Sequence, residues 1–484
     1  MKHQDYKNKK ERGHYPSECT TIIVGRRMTC DGSMIVARSE DWNAMFAKNW
    51  EVYPDKKEGP KEFVALDSPF RCELPTESLG YTALAPYHLP GHWGSAGFNS
   101  VGVGMSATES IFSNDKALQA DPLVENGVAE NSVFNIVLPY IRSAREGVKR
   151  LGELIEKHGI AEGFGVGFVD EQEIWYLETA CGHRWLACRI PEEQYFVTGN
   201  QSRFRAYNPE DKENYMASAD LIDFAIKHGL YDPSHDGKFD FHEAYARDIE
   251  LDTTYNYPRV WGLQAMFSPD ITNDVTRNDF PVYARANHPI TMNDLRKAFR
   301  FHYQGTEHDP YLHENPQEKY RPVSIFRTTQ THILQVRSEL PAAIGCVNYV
   351  AMGMAALGVF LPLYQGVSSY PEAYLKGTNH SSKDSAYWKF RKVQTLGMVN
   401  FNRYAPIIQE TYARFEQETA QRQREMEEQY MAVYKTQPIH ARELLQAFSD
   451  RMLKLALEVT DALIEELFTR LTEDIQAEYR FAGA

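Results

Sequence analysis

The sequence predicts an α+β protein, in which strand-rich and helix-rich segments occupy different parts of the chain. Residues 19–42 contain two β-rich runs, TTIIVG and SMIVARS, and the turn dipeptide Asp31-Gly32 between them predicts a hairpin. Four more strand-like runs follow one another within residues 163–200 and predict an antiparallel meander. Residues 403–433 and 437–478 are long, charged and free of glycine, so we expect a helical C-terminal region.

The segments between these parts are predicted from the same periodicities. A helix is expected over about 128–158, kinked or split at Pro139. Residues 231–290 are rich in Tyr, Asp, Asn and Pro, which is typical of an irregular insertion. Residues 323–338 indicate two strands, and Thr291 is the expected N-cap of a further helix.

These elements divide the chain into three expected parts. Residues 1–18 form a polar leader with five Lys or Arg and three Asp or Glu residues. Residues 19–383 form the main domain, which includes the insertion. Residues 384–484 form the helical region, which we expect either to pack on the main domain or, less in keeping with its irregular heptads, to form a coiled coil.

The composition is that of an acidic globular protein. Of its 484 residues, 66 are Asp or Glu and 52 are Lys or Arg, which gives a formal net charge of −14. Such a surface repels nucleic acid and anionic lipid, so we expect neither nucleic acid nor a membrane as a partner. No run approaches 18 apolar residues and the leader has no apolar core, so we expect a cytoplasmic protein.

The six cysteines are widely spaced, which favours reduced thiols over a disulfide framework. The histidines and cysteines do not have the spacing of a metal site, and the glycines of GFGVGF lack the helix that a nucleotide-binding motif requires. We therefore expect neither a metal nor a cofactor.

Cys19 is the first residue of the first predicted strand and follows the polar leader directly. If the bond between Glu18 and Cys19 were cut, Cys19 would gain an α-amine about 3 Å from its own sulfur, and an amine with a pKa near 8 can act as a base. One residue would then supply both nucleophile and base. We expect this cleavage to be internal, by attack of the Cys19 thiol on the Glu18 carbonyl. The alternative is that Cys19 is a small buried hydrophobic residue.

The second predicted strand ends in ARSEDW, close to the start of the first. Arg38 in this segment could lower the pKa of the thiol. Asp41 could position the α-ammonium group or accept a proton from it. The alternative is an ion pair at a strand end.

The sequence CTTIIVGRRMTCDGSMIVARSEDW resembles the dipeptidase A family of cysteine N-terminal-nucleophile hydrolases, which is related to penicillin V acylase and bile salt hydrolase. The resemblance continues through GSAGFNSVGVGMSATES, YFVTGNQSRF and THILQVRSELPAAIGCVNYVAMG. It implies a four-layer αββα sandwich for the main domain, assembly into a homo-oligomer, and Cys19 as the nucleophile beside Arg38 and Asp41.

The same resemblance implies roles for two asparagines. Asn99 matches the family position whose amide helps to build the oxyanion hole, and Asn200 matches the asparagine that orients the acyl oxygen and the free amine. A side-chain amide that donates to a developing oxyanion is worth about 3 kcal/mol when well placed. The alternative for each is a turn residue.

One feature of the related acylases is missing from its expected place. They carry a later arginine that closes the site, and here the corresponding region is TTQTHILQV, which has no arginine. Thr331 and His332 are possible substitutes, and the residue that binds the substrate carboxylate stays unassigned. The segments RAYNPEDKE, NYPRVW and RNDFPVYARANH are candidates for the cleft lining.

Together these features predict a cysteine dipeptidase of broad specificity that works through a thioester and is activated by self-cleavage before Cys19. Its expected partner is a small dipeptide substrate. One alternative is an amidase for another small acylated amine, of the penicillin V or bile-salt type. Another is a non-enzymatic interaction protein that uses the helical C-terminus.

Overall fold

Two β-sheets form the centre of the fold. The computed structural model describes residues 18–271, 274–312 and 319–479, so the predicted leader lies outside the described residues except for Glu18. The strands are β1 (Glu18–Val24), β2 (Met34–Asp41), β3 (Lys48–Tyr53), β4 (Glu62–Val64), β5 (Arg71–Glu73), β6 (Tyr81–Pro86), β7 (Ala96–Phe98), β8 (Gly104–Ser110), β9 (Phe164–Val169), β10 (Ile174–Cys181), β11 (Arg184–Arg189), β12 (Tyr195–Thr198), β13 (Tyr215–Ala217), β14 (Tyr283–Ala284), β15 (Thr328–Val336), β16 (Cys346–Met352) and β17 (Leu361–Tyr364).

The first sheet has seven strands in the order β14-β12-β1-β2-β15-β16-β17, and the second has six in the order β13-β11-β10-β9-β8-β7. The predicted hairpin is confirmed: β1 and β2 pair antiparallel, with Thr21 opposite Arg38 and Glu18 opposite Asp41. Gly32, in the connection between them, has a φ of 72°, a left-handed conformation that glycine adopts without strain. The hairpin therefore occupies the middle of the larger sheet.

The two sheets pack on each other through alternate residues of the same strands. Ile22 and Ala37 belong to a hydrophobic cluster on one face of the seven-stranded sheet. Their neighbours Ile23 and Val36 belong to a different cluster, which includes Tyr176 of the six-stranded sheet. Because side chains alternate along a strand, odd-numbered residues of β1 face the second sheet, and Cys19 is one of them.

Helices cover the outer faces of both sheets. The predicted break at Pro139 is confirmed, since a 3₁₀ turn at Leu138–Tyr140 separates two helices, and Thr291 is the N-cap of a helix as expected. The helices are α1 (Asp115–Ala120), α2 (Glu130–Val137), α3 (Ala144–His158), α4 (Leu221–Lys227), α5 (Phe241–Tyr245), α6 (Asp252–Tyr255), α7 (Tyr257–Phe267), α8 (Met292–Phe299), α9 (Ala342–Gly345), α10 (Ala386–Val399), α11 (Phe401–Val433) and α12 (Pro438–Glu478), with further 3₁₀ turns at Ala355–Leu357 and Glu372–Tyr374.

The helical C-terminal region packs on the seven-stranded sheet. Helices α11 and α12 match the two predicted segments to within two residues at their starts and coincide with them at their ends. Their buried residues, Tyr412 and Leu445 among them, belong to the same hydrophobic cluster as Ile22 of β1. Arg337, just after β15, binds both carboxylate oxygens of Glu427 at 2.7 and 2.8 Å. No helix among the described residues is both long and apolar enough to cross a membrane.

Three predictions about elements were wrong. Strand β12 does not complete a meander with β9, β10 and β11 but pairs with β1 in the other sheet. Residues 323–338 hold one strand, β15, and not two. Residues 231–290 are not merely an irregular insertion, because their described part, 231–271 and 274–290, contains three helices and β14, which pairs with β12. For β12 and β14 the outcome is decided by strand pairing between distant segments, which local periodicity does not encode.

Candidate active site

Cys19 lies at the start of β1, at the interface between the two sheets. Its side chain is completely buried. The Cys19 thiol donates a hydrogen bond of 3.4 Å to the main-chain carbonyl of Thr108 on β8. The first residue of the central hairpin therefore meets the second sheet directly.

Arg38 reaches the thiol from the neighbouring strand. Its Nη1 atom lies 3.0 Å from Cys19 Sγ. The guanidinium group, also fully buried, is fixed by three main-chain carbonyls, those of Ser95, Ala107 and Thr108. These three acceptors are uncharged, whereas the nearby sulfur of Cys19 can become an anion.

Burial dominates the electrostatics of the thiol. It raises the pKa of Cys19 well above the ordinary value of 9.0, and the charge of Arg38 opposes this rise. A thiol in this state is neutral at pH 7 and reacts only when a base removes its proton. Arg38 can then stabilise the thiolate that forms.

Asp41 lies opposite the peptide bond that precedes Cys19, because the hairpin register pairs it with Glu18. Its carboxylate accepts hydrogen bonds of 2.5 Å from Arg321 and Thr328. Burial raises the pKa of Asp41, whereas the Arg321 charge lowers it. The structure thus places Asp41 beside the main chain at the Glu18–Cys19 junction.

Asn200 reaches the site from the turn that follows β12. Its side-chain nitrogen donates to one carboxylate oxygen of Glu109 at 3.0 Å and to the carbonyl of Ser110 at 3.2 Å. The other carboxylate oxygen of Glu109 accepts a hydrogen bond of 2.7 Å from Thr21 Oγ1. Strands β1 and β8 and the turn after β12 therefore converge beside Cys19.

Arg259, on α7, connects the same elements from the other side. Its Nη1 atom donates to the main-chain carbonyl of Cys19 and, at 2.9 Å, to the hydroxyl of Thr20. Its Nη2 atom donates to the side-chain oxygens of Asn200 at 2.9 Å and Asn256 at 2.6 Å. This guanidinium group is fully buried and links the nucleophile's own backbone to Asn200.

A further set of buried polar groups supports Arg38. Burial alone would raise the pKa of Glu40, but the charges of Lys48, 2.5 Å away, and Arg38 outweigh it and lower that pKa to about 2. On the other side, Ser106 accepts a hydrogen bond of 3.2 Å from Arg38 and lies 2.8 Å from His332 Nε2. Ser106 therefore helps to orient Arg38, and Glu40 adds a negative charge on which the guanidinium group acts.

Comparison with known proteins identifies the family of this chain. The model of the family described as Peptidase family C69 matches residues 18–414, which is most of the chain. The chain belongs to peptidase family C69. Its match begins one residue before Cys19 and includes every residue of the site described above.

Several curated relatives of this C69 chain are named as dipeptidases. It is 49% identical over 362 residues to a probable dipeptidase of Salmonella dublin, covering 74% of this chain and 83% of the relative. It is 37% identical over 398 residues to a probable dipeptidase A of Streptococcus pyogenes serotype M3, covering 80% and 84%. It is 34% identical over 403 residues to dipeptidase A of Lactobacillus helveticus, covering 81% and 84%.

One predicted site residue of the C69 chain lies elsewhere. The side-chain nitrogen of Asn99 donates to the main-chain carbonyls of Leu138 and Ile141, at 3.0 and 2.8 Å. Its side-chain oxygen accepts from the main-chain N–H groups of Val101 and Val103. The amide of Asn99 therefore links its own turn to the segment around Leu138 and Ile141, and the structure does not bring it to Cys19.

The segment TTQTHILQV, which forms β15, holds no arginine, but Arg259 binds the main-chain carbonyl of Cys19 from the segment NYPRVW on α7. His332 does not take that place: it is buried between Gln330 and Ser106, and burial lowers its pKa well below 6.5. The other two cleft segments, RAYNPEDKE and RNDFPVYARANH, make no hydrogen bond to Cys19 in the described structure.

Sequence reasoning also missed Glu109 and Arg321. Glu109 is an ionisable residue within a run of small and apolar residues that predicts a buried strand, and this mismatch was the available signal. Arg321 gave no comparable signal, because its partner Asp41 lies 280 positions away. Among the described residues, no group of three or more His, Cys, Asp or Glu side chains is arranged to hold a metal ion.

Proposed function

We propose that this protein is a cysteine dipeptidase of broad specificity whose nucleophile is Cys19, exposed as a new N-terminus by cleavage of the Glu18–Cys19 bond. The observation that carries this proposal is the position of Arg38 Nη1, 3.0 Å from the thiol at the start of the central strand. The dipeptidase names of relatives that are 34% to 49% identical support the substrate class.

Activation is self-cleavage in this proposal. The Cys19 sulfur attacks the carbonyl carbon of Glu18, the C–N bond breaks as its nitrogen takes a proton, and a thioester joins Glu18 to the sulfur. Water then hydrolyses the thioester, so that the leader leaves with a carboxylate at Glu18 and Cys19 keeps a free thiol and a free amine. Arg259, which binds the carbonyl of Cys19, and Asp41, opposite Glu18, hold the junction in place.

Turnover repeats this chemistry on the substrate. The free α-amine of Cys19 takes the thiol proton, and the thiolate, stabilised by Arg38, attacks the carbonyl carbon of the dipeptide bond. The ammonium group returns its proton to the leaving nitrogen, and the second amino acid departs. Water, activated by the same amine, hydrolyses the thioester and releases the first amino acid. Asn200, tied to the Cys19 backbone through Arg259, orients the reacting acyl group.

We also propose the wider setting of this enzyme. The two packed sheets with helices on their outer faces support a four-layer αββα sandwich over residues 19–383, with residues 384–484 as a helical region attached to it. The six free cysteines favour a cytoplasmic enzyme, and the family resemblance favours a homo-oligomer.

The test compares two serine substitutions in the purified protein. Cys19→Ser removes the proposed nucleophile, and Cys30→Ser changes an exposed cysteine outside the site and serves as the matched control. We expect the wild type and the control to hydrolyse a panel of dipeptides and to leave penicillin V intact, and Cys19→Ser to lose at least about 1000-fold in kcat/KM. Full activity of Cys19→Ser, or turnover of penicillin V in place of dipeptides, would refute the proposal.

A further inference from the structure

Glu109 is a buried carboxylate beside the nucleophile that the reaction described above does not use. We propose that Glu109 binds the free α-ammonium group of the substrate and thereby restricts the enzyme to peptides with an unblocked amino terminus. This inference rests on the proposed peptidase function and adds a specificity-determining residue to it.

Glu109 lies close enough to Cys19 for its charge to act on the thiol. It directly follows Thr108, whose carbonyl accepts the hydrogen bond from the Cys19 thiol. One carboxylate oxygen accepts from Thr21, which lies two residues from Cys19 on the same face of β1. Glu109 is completely buried at this point, so any group that it binds is held away from bulk water.

The partners of Glu109 distinguish it from the other buried carboxylates of the site. Glu40 lies 2.5 Å from Lys48, and Asp41 lies 2.5 Å from Arg321. The two hydrogen bonds that Glu109 accepts come from uncharged groups, the hydroxyl of Thr21 and the amide of Asn200. Within the described ranges, no Lys, Arg or His nitrogen lies within 4 Å of it.

A bound cation would stabilise the ionised form of this carboxylate. Burial raises the pKa of Glu109 to about 8, although the charges of Arg259 and Arg38 oppose the rise. A buried carboxylate is stable as an anion when a cation and hydrogen bonds compensate its lost hydration. The α-ammonium group of a peptide, with a pKa near 8, is largely charged at pH 7 and can supply that cation.

The geometry of a dipeptide fits the same location. Its α-nitrogen is two bonds, or about 2.5 Å, from the carbonyl carbon that the sulfur attacks. The group that recognises this nitrogen must therefore lie near Cys19 Sγ. Glu109 meets this condition, because it follows Thr108, binds Thr21 and acts on the thiol through its charge. The amine that cleavage frees on Cys19 itself is a second source of ammonium, but the hairpin register places Asp41 closer to that end of the chain.

The test uses three substrates that differ at one position. The first is a dipeptide with a free amine, the second is its N-acetyl derivative, and the third is its 2-hydroxyacyl analogue, in which a hydroxyl replaces the ammonium group. We expect the wild type to prefer the free dipeptide over both others by at least about 100-fold in kcat/KM. In Glu109→Gln, a near-isosteric change without charge, kcat/KM for the free dipeptide falls about 100-fold and the hydroxyl analogue is hydrolysed as well as by the wild type.

Two more variants serve as controls. They show whether the charge of Glu109 causes the substrate preference and whether the loss in Glu109→Gln is due to misfolding. Glu109→Asp keeps the carboxylate and should retain the preference for ammonium over hydroxyl. Glu51→Gln is the matched control, since it makes the same change at a partly buried carboxylate that binds Tyr53 and Gly91 outside the site. It should behave as the wild type does.

The outcomes separate this inference from the proposed function. Equal losses on all three substrates in Glu109→Gln would assign Glu109 to catalysis or to the Cys19 amine and overturn the inference. Hydrolysis of the N-acetyl derivative by the wild type at the rate of the free dipeptide would overturn it too, while leaving the thiol hydrolase intact. Failure of the wild type to hydrolyse any of the three would refute the proposed function and with it this inference.

Discussion

Arg259 donates a hydrogen bond to the main-chain carbonyl of Cys19, although 240 positions separate the two residues in the chain. The same guanidinium group binds the side-chain oxygen of Asn200, at the end of the strand that pairs with β1. One buried cation thus fixes the backbone of the proposed nucleophile relative to the amide beside it.

We predict that Arg259→Lys lowers kcat/KM for a dipeptide by at least about 100-fold and slows removal of the leader. Lysine keeps the charge but cannot reach Cys19, Thr20, Asn200 and Asn256 at once, because it lacks the planar fork of arginine. Steady-state kinetics and intact mass measure the two effects. Arg414→Lys, at an exposed arginine of α11, is the control and should change neither. Wild-type processing and turnover in Arg259→Lys would remove Arg259 from the site.

Asn99 and Asn200 provide a test, because the family motif implies that both act at the site whereas the structure brings only Asn200 there. We predict that Asn99→Ala destabilises the protein by about 2–4 kcal/mol, since it leaves the buried carbonyls of Leu138 and Ile141 without their donor. Its kcat per folded active site should stay within about threefold of the wild type. Asn200→Ala should instead lower kcat by about 100-fold. Chemical denaturation and active-site titration of both variants provide the measurements.

A loss of kcat in Asn99→Ala as large as that in Asn200→Ala, with stability unchanged, would contradict the structural assignment. It would place Asn99 in the oxyanion hole, as the resemblance implied.

The contacts of this site that can be predicted from the sequence are those between residues close together in the chain. Arg38 and Cys19 meet because both belong to one hairpin, and the Asp31-Gly32 turn together with two β-rich runs was enough to predict that pairing. The position of Arg259 depends on how α7 packs against β1, which no pattern within either segment encodes. Asn99 lies in the motif GFNSVGVG, which resembles the family, but a motif does not specify which way a side chain points.

The same distinction applies to the fold. The split at Pro139 and the bounds of α11 and α12 follow from proline chemistry and helical periodicity, which act within one segment. Strand β12 was assigned to the wrong sheet because a short apolar run between turns fits either sheet equally well. Its partner is chosen by pairing with β1, which lies far away in the sequence.

The buried pair Glu40 and Lys48 gives a prediction about stability. We expect Lys48→Met to cost about 3–5 kcal/mol at pH 7, because it leaves the fully buried Glu40 carboxylate without its cation. Urea denaturation measures the change. Lys149→Met, at an exposed lysine 3.9 Å from Glu153, is the control and should stay within about 0.5 kcal/mol.

The loss of stability in Lys48→Met should depend on pH. In the wild type the pKa of Glu40 is about 2, against 4.5 when unfolded, so the pair's stabilisation is present above pH 4.5 and is lost as the pH falls towards 2. Without Lys48 the carboxyl binds its proton more tightly in the folded state. The deficit of Lys48→Met should therefore be smaller at pH 4 than at pH 7, and a deficit that grows in acid would contradict this account.

The contribution of Glu109 to stability depends on pH in the opposite direction. Its pKa of about 8 in the folded protein lies above the unfolded value of 4.5, so its contribution to stability is lost as the pH rises from 4.5 to 8. Glu109→Gln, which cannot ionise, should lack this loss and gain stability relative to the wild type across that window. Melting temperatures at pH 4.5, 6 and 8 measure it. Glu428→Gln, on the exposed face of α11, should follow the wild-type curve.

The central claim is that breaking one peptide bond converts Cys19 into a nucleophile that carries its own base. The most direct measurement is the intact mass and N-terminal residue of the catalytically active species, recorded beside those of Cys19→Ala. We predict that the active protein begins at Cys19 and that Cys19→Ala keeps residues 1–18. Active protein that retains its first eighteen residues, or Cys19→Ala that is processed as the wild type is, would contradict the claim.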